Sequence, residues 1–205
     1  MQISLKWINE LINIEKIQLD ELIEKLTLGG FEVEEILEVE INNKKQLTLD
    51  ISATANRSDS LSIQGISNEI ATLLDKQPRT LSYTTNNLSW KQKIKNLSRT
   101  VENKNDCSTF LSVVVKNLTD IRSPRWMKEK LISSSITPND NLLDYQNYIL
   151  LETGYPFFVY DFDKLSNHFN GSEFSLSISN STNNQKFLAS NDLKYQLDDS
   201  ILLIK

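Results

Sequence analysis

The spacing of the apolar residues changes along this chain from a helical period to a strand period, and this change constrains the fold more than any other feature. Residues 19 to 28 carry apolar side chains at intervals of three and four, namely Leu19, Leu22, Ile23 and Leu26. Residues 47 to 51 carry them at every second position, which is typical of a half-buried strand. Separate segments of both periods predict an α+β fold.

The first 80 residues predict a small helical domain with helix-turn-helix-like packing. Ser4 is placed to cap a first helix, and Gly29-Gly30 is suited to end a second one in a left-handed conformation. A third helix is expected after a polar turn, with Ser58 or Asp59 as its cap. Its inward face is predicted to contain Leu61, Ile66, Ile70 and Leu73.

Residues 81–98 are polar and without apolar periodicity, so we interpret them as a linker. Residues 99–205 then predict the first part of a mixed α/β domain. Strands are expected at 110–115 and 157–160, and Ser123-Pro124 predicts a helix that has serine as its cap and proline as its first residue. Because the chain stops within an apolar strand pattern, we expect the domain to continue beyond its last residue.

Composition excludes several classes of protein. The chain has 27 acidic and 22 basic residues and a formal net charge of -5, so it has no global positive field that would attract nucleic acid. Cys107 is the only cysteine, which excludes an internal disulfide and indicates a reducing compartment. Neither a secretory or transit signal nor an apolar run of membrane-spanning length is evident. We therefore expect a soluble protein that stays in the compartment where it is synthesised, without a membrane partner.

No residue pattern indicates a catalytic or metal site. The five glycines form no phosphate-binding loop, and His168 has neither a cysteine nor a second histidine near it in sequence. A surface loop is therefore the better interpretation of His168. Asp161 and Asp163 would lie on one side of an extended segment and repel each other, so turn or cap roles fit them better than acid-base chemistry.

The polar turn around Arg57 is the one candidate for a specific local constellation. An arginine flanked by Asp50 and Asp59 at a strand-to-helix turn can lock that turn through charge-assisted hydrogen bonds, with Asn56 beside it. The alternative is an ordinary capping turn with a surface arginine, and the chemistry of the residues does not separate the two.

Three segments resemble the β subunits of bacterial-type phenylalanine–tRNA ligases. They are the opening MQISLKWINE together with LTLGGFEVE at 26–34, the run TANRSDSLSIQGI at 54–66, and the run DYQNYILLETGYP at 144–156. The second segment is similar to the family pattern Thr-Pro-Asn-Arg-x-Asp-Cys-Leu-Ser-x-x-Gly-Ile and departs from it at Ala55 and Ser60. The segments occur in family order along the whole chain.

The resemblance also implies two absences. Bacterial β subunits insert a tRNA-binding OB-fold between the first two segments, whereas only residues 36–46 separate them here. Such shortened subunits resemble those of plastids, which implies the plastid stroma, with bacterial cytoplasm as the alternative.

The second absence concerns the editing pocket of the family. Asn147 matches the asparagine of that pocket, but Phe158 stands where a histidine is expected and can form no hydrogen bond through its side chain. Tyr160 or Gln146 could replace that histidine.

By this resemblance, the intact enzyme pairs α and β subunits in a heterotetramer and uses ATP and Mg²⁺ to attach phenylalanine to its tRNA. The resemblance implies an α-subunit partner, contact with tRNA(Phe) through the assembled enzyme, no aminoacylation site in this segment, and no cofactor bound by it. The expected role is architectural, with an inactive editing-type domain. Two alternatives remain open, namely a freestanding hydrolase of mischarged tRNA and a tRNA-binding or interaction module without chemistry.

Overall fold

The computed structural model describes residues 1–79, 97–102, 105–168, 174–189 and 192–204. Helices and strands are both present, so the predicted α+β class is confirmed. The described chain forms two compact units. The first unit comprises Met1–Asn86 and Leu118–Val159, and the second comprises Asn87–Asn117 and Tyr160–Lys205. These limits differ from the predicted domains 1–80 and 99–205, because residues 118–159 pack with the N-terminal part of the chain.

The first unit combines helices with a three-stranded antiparallel sheet of order β1-β3-β2. Its elements are β1 (Gln2–Ser4), α1 (Leu5–Leu11), α2 (Leu19–Leu28), β2 (Phe31–Ile41), β3 (Lys44–Ala53), α3 (Ile63–Leu73), α4 (Arg125–Ser133) and α5 (Leu142–Thr153). The sequence predicts helices here but only part of this sheet. Glutamates occupy most of the exposed positions of β2, and they conceal its strand character because glutamate is depleted in strands.

A tight hairpin joins β2 to β3. Ile41 pairs with Lys44, and the two residues between them, Asn42 and Asn43, have φ angles of 51° and 59°. Two left-handed residues in a two-residue loop match the twist of the flanking strands, and asparagine tolerates this conformation well. Residues 36–46, which link the first two family-like segments, therefore form a tight β-hairpin.

The N-terminal helices begin and end close to the predicted residues. Ser4 caps α1 by accepting a hydrogen bond from the Trp7 backbone N–H at 3.4 Å. Helix α2 ends before Gly29 and Gly30, of which Gly30 takes the left-handed conformation with φ of 86°. Both predicted helices are confirmed.

The start of α3 differs from the prediction. Ser58 and Asp59 lie in a short 3₁₀ turn, and Ser62 caps the helix by accepting from the Gly65 N–H at 3.0 Å. The predicted caps are wrong because this additional turn separates them from the helix. Leu61, predicted to face inward, is 59% exposed for the same reason. A Cβ at Gly65 would lie 2.1 Å from the Asp59 carbonyl oxygen, so only glycine lets the turn fold back onto the helix.

One hydrophobic core runs through the first unit. Its fully buried side chains from the N-terminal part include Ile3, Trp7, Ile8, Leu26, Leu49, Ile63, Ile66 and Ile70. Met127 and Leu131 of α4 and Tyr148 of α5 belong to the same core. The predicted helix after Ser123-Pro124 is confirmed, although Pro124 is its N-cap and Arg125 its first residue.

The described residues of the second unit form short strands in two sheets and one helix. They are β4 (Leu97–Val101), α6 (Phe162–His168), β5 (Phe174–Asn180), β6 (Gln185–Leu188), β7 (Lys194–Leu197) and β8 (Leu202–Ile204). Strand β5 pairs in parallel with β4 and antiparallel with β8, and β6 pairs with β7. Strand β4 begins inside the predicted linker 81–98, and residues 81–96 of that linker lie outside the described residues.

Two predicted strands are wrong. Residues 110–115 and 157–160 have no regular secondary structure, and no described strand pairs with them. Leu111 is 82% exposed, and Phe158 is 66% exposed. Apolar, β-branched residues favour a strand only where a neighbouring strand supplies backbone hydrogen bonds.

In the described part of the chain, no helix has the length and apolarity needed to span a bilayer.

Candidate functional site

The turn that carries Arg57 is a hydrogen-bonded constellation. The guanidinium donates from Nε and Nη2 to the two Asp59 carboxylate oxygens, each at 3.1 Å, and from Nη2 to Glu69 Oε2 at 2.8 Å. Its carbon atom lies 4.9 Å from the centroid of the Phe31 ring. Asn56 accepts from the Thr54 hydroxyl at 2.7 Å. The arginine thus joins the 3₁₀ turn to α3 and to the start of β2.

These contacts shift the ionisation of the turn. The hydrogen bonds to Asp59, and next those to Glu69, raise the pKa of the Arg57 guanidinium. The bond from Arg57 lowers the pKa of Asp59. Asp50, the other predicted partner, instead accepts from the Met1 ammonium at 3.0 Å. The side chain of Arg57 is 24% exposed, and its donors are largely committed within the turn.

Helix α5 carries the two polar residues that the sequence places around an editing-type pocket. Asn147 lies in the middle of this helix and is half-buried. The neighbouring Gln146 donates from Nε2 to the Phe157 carbonyl oxygen at 2.8 Å. This hydrogen bond ties the segment that bears Phe158 to the helix that bears Asn147.

The Phe158 ring is 66% exposed and therefore does not fill a cavity within the first unit. Of the two polar residues that could take the place of the expected histidine, Gln146 uses one of its amide N–H donors in the bond to the Phe157 carbonyl oxygen. Tyr160 belongs to the second unit and is 61% exposed.

Asp144 is a buried residue that the sequence does not single out. Its carboxylate is fully buried and accepts from the Asn139 N–H at 2.7 Å, the Asp140 N–H at 2.9 Å and the Ser123 hydroxyl. Burial alone would raise the pKa of Asp144, but these hydrogen bonds hold it below its usual value. An aspartate in the first turn of a helix, directly after a run of polar loop residues, was the available signal.

The surface around the start of α4 carries charges of both signs. It forms a shallow cleft of about 470 Å³, lined by Asp120, Arg122, Ser123, Pro124, Lys128, Asp140 and Tyr145. Arg122 bonds to Asp120 at 2.8 Å, and this lowers the pKa of Asp120 to about 2. Lys128 pairs with Asp140 at 2.7 Å. Two carboxylates match the two cations, so the residues that line the cleft carry no net positive charge.

The remaining candidate residues stay apart. Cys107 is half-buried and donates weakly to the Thr109 carbonyl oxygen at 3.5 Å. His168 is the last residue of α6, and its side chain lies outside the described part. Within the described ranges, no three His, Cys, Asp or Glu side chains come together in a group that could hold a metal ion.

Comparisons with known proteins give a consistent picture. A family model described as the B3/4 domain matches residues 106–205. The chain is 58% identical over all 205 residues to the chloroplastic phenylalanine–tRNA ligase β subunit of Phaeodactylum tricornutum, of which it covers 29%. It is 34% identical over 169 residues to the chloroplastic protein of Porphyra purpurea, with 81% of this chain and 23% of that protein aligned.

A bacterial relative extends the comparison. The β subunit of Bacillus subtilis is 31% identical over 116 residues, which make up 57% of this chain and 14% of the relative. The chain therefore spans less than a third of the length of these relatives.

Proposed function

Because the chain is homologous along its whole length to part of the phenylalanine–tRNA ligase β subunit, we propose that it serves as an architectural segment of an enzyme that attaches phenylalanine to its tRNA. The observation that carries this proposal is 58% identity without a gap in coverage of this chain. The described residues support an architectural role, since their charged groups form ion pairs and turn contacts around a hydrophobic core.

The proposal assigns the chemistry to the intact enzyme. ATP and Mg²⁺ would be used by an α-type subunit, and a heterotetramer of α and β subunits would present tRNA(Phe). None of the described residues in this segment is assigned to either cofactor. Relatives from Phaeodactylum tricornutum and Porphyra purpurea are chloroplastic proteins, which supports a location in the plastid, with the stroma as the compartment.

We further propose that editing of mischarged tyrosyl-tRNA has been lost. A site that rejects tyrosine must form a hydrogen bond with the phenol hydroxyl, because polar contacts discriminate far better than shape. At the position of the expected histidine, Phe158 supplies no hydrogen-bonding side chain. The nearby Gln146 amide is bonded to the Phe157 carbonyl, which supports the loss.

The Asn56-Arg57-Asp59 turn is proposed to be structural. Its arginine is committed to two carboxylates and one ring, so it holds the link between β3 and α3 instead of contacting tRNA. Arg57→Ala should lower the urea denaturation midpoint, whereas Arg57→Lys should restore only part of the loss because lysine cannot form the bidentate pair. An unchanged midpoint in Arg57→Ala would show that the turn does not need the arginine.

Activity assays on the isolated chain test the main proposal. We expect no phenylalanine-dependent pyrophosphate exchange above a mock-purified control, and no deacylation of Tyr-tRNA(Phe). Binding of tRNA should be weak at moderate salt, because the formal net charge of -5 gives the chain no global positive field for a polyanion. Pyrophosphate exchange by the chain alone would overturn the architectural role, and deacylation would favour the hydrolase alternative.

The full-length β subunit assembled with its α partner tests the loss of editing. We expect it to aminoacylate tRNA(Phe) with phenylalanine but not to deacylate Tyr-tRNA(Phe). Phe158→His is the variant to compare. Deacylation by the unmodified assembly would contradict the proposal, whereas failure of Phe158→His to gain activity would indicate that other pocket residues have changed as well.

A further inference from the structure

The segment matched by the B3/4 family model does not form one compact body in this chain. Its residues 106–117 and 160–204 lie in the second unit, whereas residues 118–159 lie in the first. We propose that helices α4 and α5 are an obligatory part of the N-terminal fold, so that the first unit folds and unfolds as one body across the boundary of the matched segment.

Burial is the first argument. Met127 and Leu131 of α4 and Tyr148 of α5 are 2%, 0% and 9% exposed, and they share one core with residues of α1, α2, α3 and the sheet. Two helices joined by a loop are too small to bury these side chains by themselves.

Hydrogen bonds also join α4 to the sheet of the first unit. The hydroxyl of Thr48, in the central strand β3, is fully buried and donates to the Ser133 carbonyl oxygen at 2.9 Å. This carbonyl belongs to the last turn of α4, where helix carbonyls lack partners within the helix. Asn42 at the tip of the β2–β3 hairpin donates to Glu129 of α4 at 2.7 Å. Removing α4 would leave the buried Thr48 donor without its acceptor.

A ring cluster around Lys130 is the third argument. The Lys130 ammonium lies 4.8 Å from the Trp7 ring centroid, 5.5 Å from that of Trp126 and 5.6 Å from that of Tyr148. Trp7 of α1 stacks on Tyr148 of α5 at 5.4 Å with nearly parallel planes. Lys130 also pairs with Glu10 of α1 at 2.6 Å, and its own side chain is only 16% exposed.

This Lys130 cluster connects α1 to α4 and α5, which lie more than 100 residues later in the sequence. A cation surrounded by aromatic faces is favoured most where water is largely excluded, as it is around Lys130. The cluster therefore couples α1 to α4 and α5 and holds these helices together in the proposed folding unit. One consequence is that the N-terminal residues position α5 and thereby Asn147, whatever reaction the intact enzyme performs.

Hydrogen exchange on the full 205-residue chain tests the proposal. We compare the amide of Ile51, which donates to the Met1 carbonyl at 3.0 Å, with the amides of Ile149 to Leu151 in α5. Lys130→Met keeps the aliphatic stem but removes the charge. It should reduce protection at both sites by the same factor, about tenfold, because the two sites open together.

The control is Lys128→Met on the same helix, which removes a more exposed pair with Asp140 and should change protection by about twofold or less. Reduced protection in α5 with unchanged protection at Ile51 would overturn the proposal.

A second measurement applies if Lys130→Met does not fold. Exchange of the unmodified chain is followed at increasing urea concentrations below its unfolding transition. Equal opening free energies with equal denaturant slopes at Ile51 and in α5 support one folding unit. Two separate slopes would show that α4 and α5 open independently and would overturn the inference.

Discussion

The two compact units bury their apolar side chains to different degrees. In the first unit, two sequence-distant segments contribute to one core, and large side chains such as Trp7 and Phe31 are at most 2% exposed. In the described part of the second unit, Ile178 is the one buried apolar side chain, with 7% of its surface exposed. Leu188 and Leu193 are more than half exposed. Substitutions in the first unit should therefore have the larger effects on stability.

Trp7→Ala should have the largest effect and tests this contrast most severely. It removes the ring that stacks on Tyr148 and faces Lys130, and it leaves a large cavity in the core, so we expect a loss of about 3–5 kcal/mol. Urea unfolding followed by circular dichroism measures this loss. Trp126→Ala removes a ring that is 49% exposed and should cost clearly less. Equal losses would mean that burial does not rank the two sites.

Asp144→Asn should have the next largest effect. The carboxylate accepts hydrogen bonds from Asn139, Asp140 and Ser123, and an amide replaces them only in part, so we expect a loss of about 1.5–3 kcal/mol at neutral pH. Denaturation midpoints at pH 7 measure it.

The pH dependence of Asp144 sharpens the same prediction. Its folded-state pKa is lowered, so its stabilisation is present above the unfolded pKa of about 3.9 and is lost as the pH falls through the folded value. The stability difference between the two proteins should therefore shrink below about pH 4. A difference that stays constant down to pH 2 would contradict a linked ionisation.

Gly65→Ala tests the close approach that starts α3. An added Cβ would lie 2.1 Å from the Asp59 carbonyl oxygen, and the backbone must shift to accept it. We expect a loss of about 1–3 kcal/mol despite the better helix propensity of alanine. Gly30→Ala is the control, since nothing lies within 4 Å of its Cβ and only its φ of 86° opposes the change. A larger loss at Gly30 would indicate that backbone strain outweighs crowding.

The sequence predicts the helices of the first unit well because their signals are local. Ser4 and Gly29-Gly30 stand where the structure begins α1 and ends α2. The assignment of α4 and α5 to the N-terminal core could not be predicted in this way. It depends on contacts between distant residues, such as Trp7 with Tyr148, for which a single sequence has no period or spacing.

The candidate site is predictable to the same extent. The spacing of Arg57 and Asp59 was visible in the sequence, but Glu69 and the Phe31 ring, which complete the constellation, reach Arg57 only after the chain folds back. Asp144 was missed because its burial depends on loop residues 139 and 140, which lie outside the helix pattern. Local rules identify turn residues, whereas partners from other elements require the fold.

Phe187→Ser in the second unit should have the smallest effect and tests the other side of the comparison. Phe187 pairs across the β6–β7 hairpin with Tyr195, and the two side chains are 41% and 47% exposed, so the substitution removes a cross-strand contact but creates no buried cavity. We expect a loss of about 0.2–1 kcal/mol, confined to this hairpin. Hydrogen exchange at Ile51 in the first unit should not change, since the unit has its own core. Reduced protection at Ile51 would show that the two units share their stability and would remove the basis of the contrast between them.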